Sequence, residues 1–158
     1  SRRSLGETLR RLGVTMPTAR QVALGLAAGA GMALVILPTL ALAESAGLIN
    51  EEVNRLTELL VGPLTQSTFG ILTLGLAAGI GEETLLRGAL QPRFGLLLTT
   101  LIFALLHSQY GLSLATLVVF VLGLVLGIMR QRANTSTTII CHASYNIGIA
   151  VLTVIGGW

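Results

Sequence analysis

Residues 22–43 contain no charged side chain, and this long apolar run limits the fold more than any other feature of the sequence. A hydrocarbon core about 30 Å thick is crossed by a helix of about 20 residues. The run is therefore long enough to span a membrane. Pro38 is expected to kink this helix, and the glycines at 25, 29 and 31 form a small-residue face that another helix can approach closely.

The composition extends this interpretation to the whole chain. Of the 158 residues, 53% are hydrophobic and 11% are charged, whereas soluble proteins contain roughly 25% charged residues. An integral membrane protein with one domain over residues 1–158 is the expectation. All acidic residues are Glu and all basic residues are Arg, which excludes chemistry that needs an Asp pair or a Lys Schiff base. Cys141 is alone and forms no internal disulfide.

Further apolar segments predict an all-α bundle of about five transmembrane helices and a short interfacial helix. The proposed spans after residues 22–43 are 67–90, 96 to about 108, 112–129 and 135 to about 155, the third being short unless it extends through Tyr110. Between the first two, Asn50 is the expected N-cap of the interfacial helix and Gly62-Pro63 its end. We expect a turn at 91–95, a basic connection at 130–134, and capping hydroxyls at 135–138.

The first 20 residues are polar and basic, and two interpretations fit them. Leu5, Leu9 and Leu12 have the spacing of an amphipathic helix on a lipid surface. A solvated tail that serves as an orientation signal explains the same arginines.

The distribution of arginine predicts the orientation. An even number of spans separates the basic N-terminus from Arg93, and again from the 130–132 cluster, so all three lie on one side. By the positive-inside rule this side is cytoplasmic. The 44–66 and 108–111 loops and the C-terminus then lie opposite, with Trp158 as an interfacial anchor.

Charges within the second span are the main functional signal. Glu82, Glu83 and Arg87 lie near the end of this apolar segment, and ionisable residues inside a membrane segment are expensive and usually functional. Glu83 and Arg87 have the i, i+4 spacing of an ion pair. Glu82 points about 100° away, so it is free to take a proton. By contrast, the pair Glu51-Glu52 is explained by a solvated helix face.

Both histidines also lie in apolar segments. Phe103 and His107, like His142 and Asn146, have i, i+4 spacing. From the cytoplasmic side, Glu83 lies roughly 12 Å deep and His107 roughly 18 Å deep, with His142 and Asn146 roughly 9 and 15 Å deep. Helices packed side by side could therefore bring all of them to one cavity.

Structural explanations remain open for each group. Glu83 with Arg87 could be only a helix-end ion pair, His107 could extend to the outer interface, and His142 with Asn146 could bridge helices by hydrogen bonds. Cys141 as a thiol nucleophile is disfavoured, because adjacent helical residues such as Cys141 and His142 do not face each other.

Together these residues resemble a known family. Glu82-Glu83-x-x-x-Arg87, Phe103-x-x-x-His107 and His142-x-x-x-Asn146 form a pattern similar to the three-motif signature of the CPBP family of intramembrane proteases, also called the Abi or CAAX-protease family. The resemblance covers roughly residues 73–150, and the Leu-Leu-Arg-Gly and Ala-Leu-Leu-His contexts fit it. The chain is short for this family, whose members often have additional helices.

The resemblance implies hydrolysis of a peptide bond by an activated water within the membrane. Glu82 would be the general base, and His107 would hold and polarise the water. His142 and Asn146 would stabilise the oxyanion, while Glu83 and Arg87 orient the site. This version needs no cofactor and is favoured. In the other version, a divalent metal such as Zn²⁺ is bound by the glutamates and histidines, with Glu83, His107 and His142 as its ligands.

Two classes of function follow. The first is an intramembrane endopeptidase that acts on a membrane protein or lipidated peptide. The second is a non-catalytic membrane subunit or assembly factor of a larger membrane complex, and a proton or small-solute carrier is a more distant third. Membrane lipid is an expected partner and nucleic acid is not. The chain has no Asp for aspartyl proteolysis, no His-Glu-x-x-His sequence, and no Gly-x-Ser-Gly context near the histidines.

Overall fold

The computed structural model describes residues 4–156 except 50, 108, 110 and 112, and this part of the chain is helical without a strand. Its elements are α1 (Leu5–Arg11), α2 (Ala19–Ser45), α3 (Glu51–Thr65), α4 (Thr68–Glu83), a π-helical segment (Thr84–Leu90), α5 (Gln91–Leu106), α6 (Leu114–Arg132) and α7 (Thr135–Gly156). The expected helical membrane bundle is confirmed. The predicted N-cap Asn50 and interfacial anchor Trp158 lie outside the described residues.

Four stretches of the described chain are long and apolar enough to cross a membrane: Ala19–Ser45, Thr68–Leu106, Leu114–Arg132 and Thr135–Gly156. The second contains two of the five predicted segments, because it breaks at Gly95. Phe103 and Arg87 demonstrate the reversal. Sixteen residues along one straight helix would separate them by about 24 Å, yet the Arg87 guanidinium carbon lies 4.6 Å from the centre of the Phe103 ring.

The reversal is narrower than the predicted turn at 91–95. Only Gly95 leaves the helical conformation, with φ +75° and ψ 176°, a left-handed φ that side chains with a Cβ rarely adopt. Pro92 does not stop the helix, because it lies in the first turn of α5, where a missing N–H costs little.

Helix α7 is the centre of the bundle, with α2 and α4 packed on it through glycines. A Cβ at Gly25 would lie 2.9 Å from Ile140 Cγ2, and a Cβ at Gly79 would lie 2.9 Å from the Ile139 carbonyl oxygen. The expected small-residue face of α2 therefore exists. Gly31 is not part of it, because a Cβ at Gly31 would meet nothing within 4 Å. Close approach of backbones through glycine is a common way to pack helices in lipid.

The N-terminal tail contains a helix and also a docked segment. α1 is capped by Ser4, whose hydroxyl accepts a hydrogen bond from Glu7 N–H. After it, Leu12–Thr15 lies against the start of α7. Thr135 donates its hydroxyl to the Leu12 carbonyl (2.6 Å) and its backbone N–H to the Gly13 carbonyl (3.0 Å), and Ser136 accepts from Thr15 N–H (2.9 Å). We call Leu12–Thr15 the N-terminal strap.

Several predicted boundaries are wrong by a few residues. α3 continues through Gly62-Pro63 to Thr65, and α6 continues through Arg130 and Arg132, so the basic connection shrinks to residues 133–134. α5 ends at Leu106, and residues 108 and 110, to which the predicted span and its suggested extension reach, lie outside the described residues.

The N-terminal cap of α7 also differs from the prediction. Asn134 caps α7, because its Oδ1 accepts from Thr137 N–H at 2.9 Å. The hydroxyls of Thr135 and Ser136 bind the strap instead.

Candidate active site

Glu83 is the most enclosed charged residue of the site. It ends α4 and is 0% exposed. Its Oε1 lies 3.2 Å from Arg87 Nη1 and 3.0 Å from His142 Nδ1, so the ion pair predicted from the i, i+4 spacing is present. Because a carboxylate can only accept, His142 donates from Nδ1, and a neutral His142 ring keeps its acceptor lone pair on Nε2. Glu83 thus connects α4, the π segment and α7.

Arg87 is 1% exposed and belongs to the π segment. Its Nη2 donates to the Gly123 carbonyl of α6 at 3.1 Å, and its guanidinium lies over the Phe103 ring. One turn later, Gln91 Nε2 donates to the Gly127 carbonyl at 2.9 Å. The two bonds advance together along both elements, so the π segment and α6 run in the same direction.

Glycines at 123 and 127 make this approach possible. A Cβ at Gly123 would lie 2.9 Å from Phe103 Cδ1 and 3.0 Å from Thr100 Cγ2, and a Cβ at Gly127 would collide with Leu96. A larger residue at either position would therefore separate α6 from α5 and from the side chains that bond its carbonyls.

The π-helical turn explains why Glu83, Arg87 and Gln91 share a face. In an α-helix each step of four residues turns about 40° past a full circle, which accumulates to about 80° from Glu83 to Gln91. The wider i→i+5 turn has more residues per circle and reduces this drift. It also buries the consecutive residues Leu86, Arg87 and Gly88. π-helical turns of this kind are frequent at functional sites.

Phe103 joins the two histidines to the buried network. Its ring centre lies 4.8 Å from that of His107 and 6.0 Å from that of His142. His107, which follows the last residue of α5, is half-buried, and its Nδ1 lies 2.9 Å from the Phe103 carbonyl oxygen. A carbonyl only accepts, so this nitrogen carries the proton and a neutral ring has its lone pair on Nε2.

Glu82 differs from its neighbour. It is half-buried, and no hydrogen bond or ion pair among the described residues holds its carboxylate. Its Oε2, like that of Glu83, is enclosed without a hydrogen-bond partner, but only Glu83 has an Oε1 held by Arg87 and His142. Arg87 feels the charge of both carboxylates, Glu83 more strongly than Glu82. Adjacent glutamates therefore have separate environments, one bonded to two helices and the other in the field of Arg87 without a bond to it.

Asn146 lies one turn after His142 on α7 and is half-buried. In the described part of the molecule, no hydrogen bond joins its side chain to the network. The structure thus brings together Glu83, Arg87 and His142 by direct bonds, adds His107 through Phe103, and leaves Glu82 and Asn146 beside them on the same helices.

The ligand set of the alternative, zinc-dependent version does not form. Within the described ranges, no group of three or more His, Cys, Asp or Glu side chains has an arrangement that could hold a metal ion. Glu83 and His142 are in direct contact, but they are only two of the three ligands. Glu83, His107 and His142 therefore do not fit a three-ligand zinc site.

Sequence reasoning missed some of the residues that build the network. Spacing and motif relate Phe103 to His107 alone, and the predicted turn at 91–95 includes Gln91. The signals were present: Gln91 continues the four-residue spacing of Glu83 and Arg87, and Gly123-x-x-x-Gly127 is a motif for close helix approach. Neither signal shows that Gln91 bonds the Gly127 carbonyl, because that contact depends on how α6 packs in the bundle.

The comparison with protein families supplies the identity. A family model described as type II CAAX prenyl endopeptidase Rce1-like matches residues 64–148, just over half of the chain. This range contains every candidate site residue, and it confirms the expected CAAX-protease resemblance. No curated protein and no solved structure matches the chain. The match supports a CAAX-protease-type function and, with the long apolar helices, an integral membrane protein. The chain belongs to the type II CAAX prenyl endopeptidase Rce1-like family.

Proposed function

We propose that the protein is an intramembrane endopeptidase that hydrolyses a peptide bond of a membrane-associated or lipidated protein, using a water activated by Glu82 and held by His107. The observation that carries this proposal is the unequal state of the two glutamates. Both glutamates have an enclosed Oε2 without a hydrogen-bond partner in the described chain. Oε1 of the fully buried Glu83 is held by Arg87 and His142, whereas no hydrogen bond or ion pair among the described residues holds Glu82. A general base needs such an uncommitted carboxylate within reach of its proton.

The reaction then proceeds by addition and collapse. Glu82 takes a proton from water as the water oxygen attacks the scissile carbonyl carbon, and the carbonyl oxygen becomes an oxyanion. The protonated Glu82 next gives its proton to the amide nitrogen while the C–N bond breaks. The products are a carboxylic acid and an amine, and Glu82 returns to its starting state.

The other residues receive positioning and electrostatic roles. His107 has its lone pair on Nε2 when neutral, which suits acceptance of a hydrogen bond from the attacking water. Asn146 donates to the oxyanion from its amide, and His142, whose Nδ1 is bonded to Glu83, is assigned to stabilise the same charge with the other side of its ring. Arg87 holds Glu83, and therefore the His142 ring, in one orientation.

Family and composition together support a lipidated substrate. The matching family is named for cleavage of prenylated CAAX proteins, and the site here is carried by long apolar helices. A prenylated C-terminus inserts into a bilayer through its lipid, which would bring its peptide to the depth of these helices.

The test is cleavage of a defined probe by the full chain in lipid vesicles. The probes are a fluorogenic farnesylated CAAX peptide and the same peptide without the prenyl group. Wild-type protein is expected to cleave the farnesylated probe, and Glu82→Gln is expected to reduce the rate by about 10²–10⁴-fold, the usual contribution of a general base. Glu51→Gln, an exposed glutamate of α3, is the matched control and keeps full rate.

Retention of cleavage by Glu82→Gln would contradict the proposed chemistry. Absence of cleavage of both probes by correctly folded wild-type protein would count against the peptidase and favour a non-catalytic membrane subunit, in which the buried network only joins helices. Preferential cleavage of the unprenylated probe would overturn the lipidated substrate while leaving the peptidase chemistry standing.

A further inference from the structure

We propose that α1 is a membrane-surface helix that inserts its leucine face into an anionic phospholipid bilayer, with the lipid phosphates bound by the arginines at the same end of the bundle. Every residue of α1 is exposed in the structure. The proposal concerns attachment to lipid and does not depend on the peptidase chemistry.

The leucines of this helix form one face. At 100° per residue, Leu5 and Leu9 fall within about 40° of each other, and Arg10 and Arg11 flank the opposite side. Leu5 is 75% exposed and Leu9 is 37% exposed. This is the pattern of helices that lie in the interface plane with the apolar side in lipid and basic residues toward the headgroups.

α1 is so short that it needs an apolar contact outside the bundle to be stable. Isolated helices shorter than about 12–15 residues are marginal in water, and α1 has 7 residues with none buried against the bundle. Its capping box, formed by Ser4 and Glu7, satisfies backbone donors but buries no apolar area. Lipid contact with Leu5 and Leu9 would supply the missing burial.

The N-terminal strap fixes where this surface lies. Leu12, the C-cap of α1, packs on the π segment, since a Cβ at Gly88 would lie 2.9 Å from the Leu12 carbonyl oxygen and 3.3 Å from its Cβ. The strap also binds Thr135 and Ser136, the first residues of α7. α1 is therefore held at the end of the bundle where α7 begins. Because α7 is long and apolar enough to cross a membrane, this end would meet the lipid headgroups.

The charge at this end complements an anionic surface. α2 and α7 begin here and α6 ends here, which brings together Arg10, Arg11, Arg20, Arg93, Arg130 and Arg132, with Glu7 as the only acidic residue among the described ones. The opposite end contains Glu44, Glu51, Glu52 and Glu58 with Arg55. A basic segment next to apolar side chains is attracted to anionic lipid. Each arginine near the surface raises the equilibrium constant for lipid binding about fivefold.

The experiment measures protection of α1 by lipid in the full chain. Thr8→Cys, at the edge of the leucine face, is labelled with a bimane dye in a Cys141→Ala background and reconstituted in vesicles of phosphatidylcholine alone or with one third phosphatidylglycerol. The neutral quencher acrylamide reports exposure of the dye to water. Addition of phosphatidylglycerol is expected to protect the dye. The equilibrium constant for lipid contact of α1, obtained from the protected fraction, should fall about thirtyfold in Arg10→Gln/Arg11→Gln.

Arg55→Gln is the matched control, since it removes an arginine from the opposite end and should leave the protection unchanged. Equal quenching in both vesicle types would overturn the proposal. Protection that is insensitive to Arg10→Gln/Arg11→Gln would also overturn it. Protection that rises with the number of protein molecules per vesicle, and not with phosphatidylglycerol, would assign the leucine face to a second copy of the chain instead.

Discussion

Arg87 carries a full charge in the interior and is stabilised there by three different contacts. It pairs with Glu83, donates to the Gly123 carbonyl, and lies over the Phe103 ring. Removal of one partner from a buried pair is far more destabilising than any surface change, because the remaining charge is left without compensation. The shape of the guanidinium matters as much as its charge, since one planar group makes all three contacts.

Arg87→Lys is therefore expected to destabilise the protein although it keeps the charge. An ammonium can keep the Glu83 pair but not the planar contact with Phe103 and the Gly123 bond together, and loss of a hydrogen bond from a charged group costs about 1.5–3 kcal/mol. The measurement is the free energy of unfolding in detergent. Arg93→Lys, an exposed arginine near the same end, is the control and should change stability by less than about 0.5 kcal/mol. Equal stability of the two variants would contradict this view of Arg87.

At this scale the sequence predicted contacts within one helix and missed contacts between helices. Periodicity alone identified the Glu83–Arg87 ion pair and the Phe103–His107 pair, because i, i+4 residues meet in any helix. The Glu83–His142 bond joins residues 59 apart in sequence. The predicted depths of the two residues in the membrane show only that such a bond is possible. Its existence depends on the packing of α4 against α7.

At the scale of helices, α2 and α4 approach α7 closely because they present glycines to it. A Cβ at Gly29 would collide with the Cys141 carbonyl oxygen and lie 2.7 Å from Ser144 Cβ, whereas a Cβ at Gly31 would meet nothing within 4 Å. The same substitution at two positions of one helix thus has different consequences.

Gly29→Ala and Gly31→Ala are expected to change stability in opposite directions. Alanine in a helix interior is favoured over glycine by roughly 0.5–1 kcal/mol, so Gly31→Ala should stabilise the protein. Gly29→Ala should destabilise it by about 1–3 kcal/mol, the usual cost of overpacking. Thermal unfolding in detergent measures both, and a stabilising Gly29→Ala would show that α2 and α7 are farther apart than the structure has them.

The capping box of α1 gives that helix a dependence on pH. Hydrogen bonds from Ser4 hold the pKa of the exposed Glu7 carboxyl below its ordinary value. A carboxyl with a depressed folded-state pKa contributes stability above its unfolded pKa and loses it as pH falls through the folded pKa. The helicity of α1, followed by amide hydrogen exchange of Thr8 and Leu9, should therefore decrease in acid.

Ser4→Ala tests the cause of this decrease. Without the Ser4 hydroxyl, the depression of the Glu7 pKa should be smaller and α1 less protected from exchange at neutral pH. An unchanged exchange profile in Ser4→Ala would contradict the assignment of the pH dependence to the capping box.

Element existence was predictable from apolar runs, and element boundaries were not. Hydrophobic length located the spans because lipid requires it. Pro92 and Pro63 predict the ends of helices, but proline costs little in the first turn of α5, and α3 continues past Pro63 to Thr65. The π segment had no sequence signal that distinguishes it from an α-helix.

For the whole molecule, the charges are divided between the two ends. The arginine end includes the N-terminal strap, and the opposite end contains the acidic helix α3. We propose that the arginine end, with the N-terminus, is cytoplasmic, because basic residues near spans are retained on that side.

Single cysteines test this orientation in intact cells of a bacterial expression host. In a Cys141→Ala background, Met16→Cys is exposed at the arginine end and Leu48→Cys is exposed at the opposite end. A membrane-impermeant maleimide that reaches the periplasm should label Leu48→Cys and label Met16→Cys only after the cells are opened. Labelling of Met16→Cys alone in intact cells would reverse the orientation.

Adjacent glutamates divide catalytic and structural roles between them, and the most direct measurement compares Glu82→Gln with Glu83→Gln in both cleavage and thermal unfolding. Glu82→Gln should abolish cleavage of the farnesylated probe and leave the unfolding midpoint near that of the wild type. Glu83→Gln should both lose cleavage and lower the free energy of unfolding by about 3–5 kcal/mol, because Arg87 loses its buried partner. Full cleavage by Glu82→Gln, or equal unfolding midpoints for the two variants, would contradict the account.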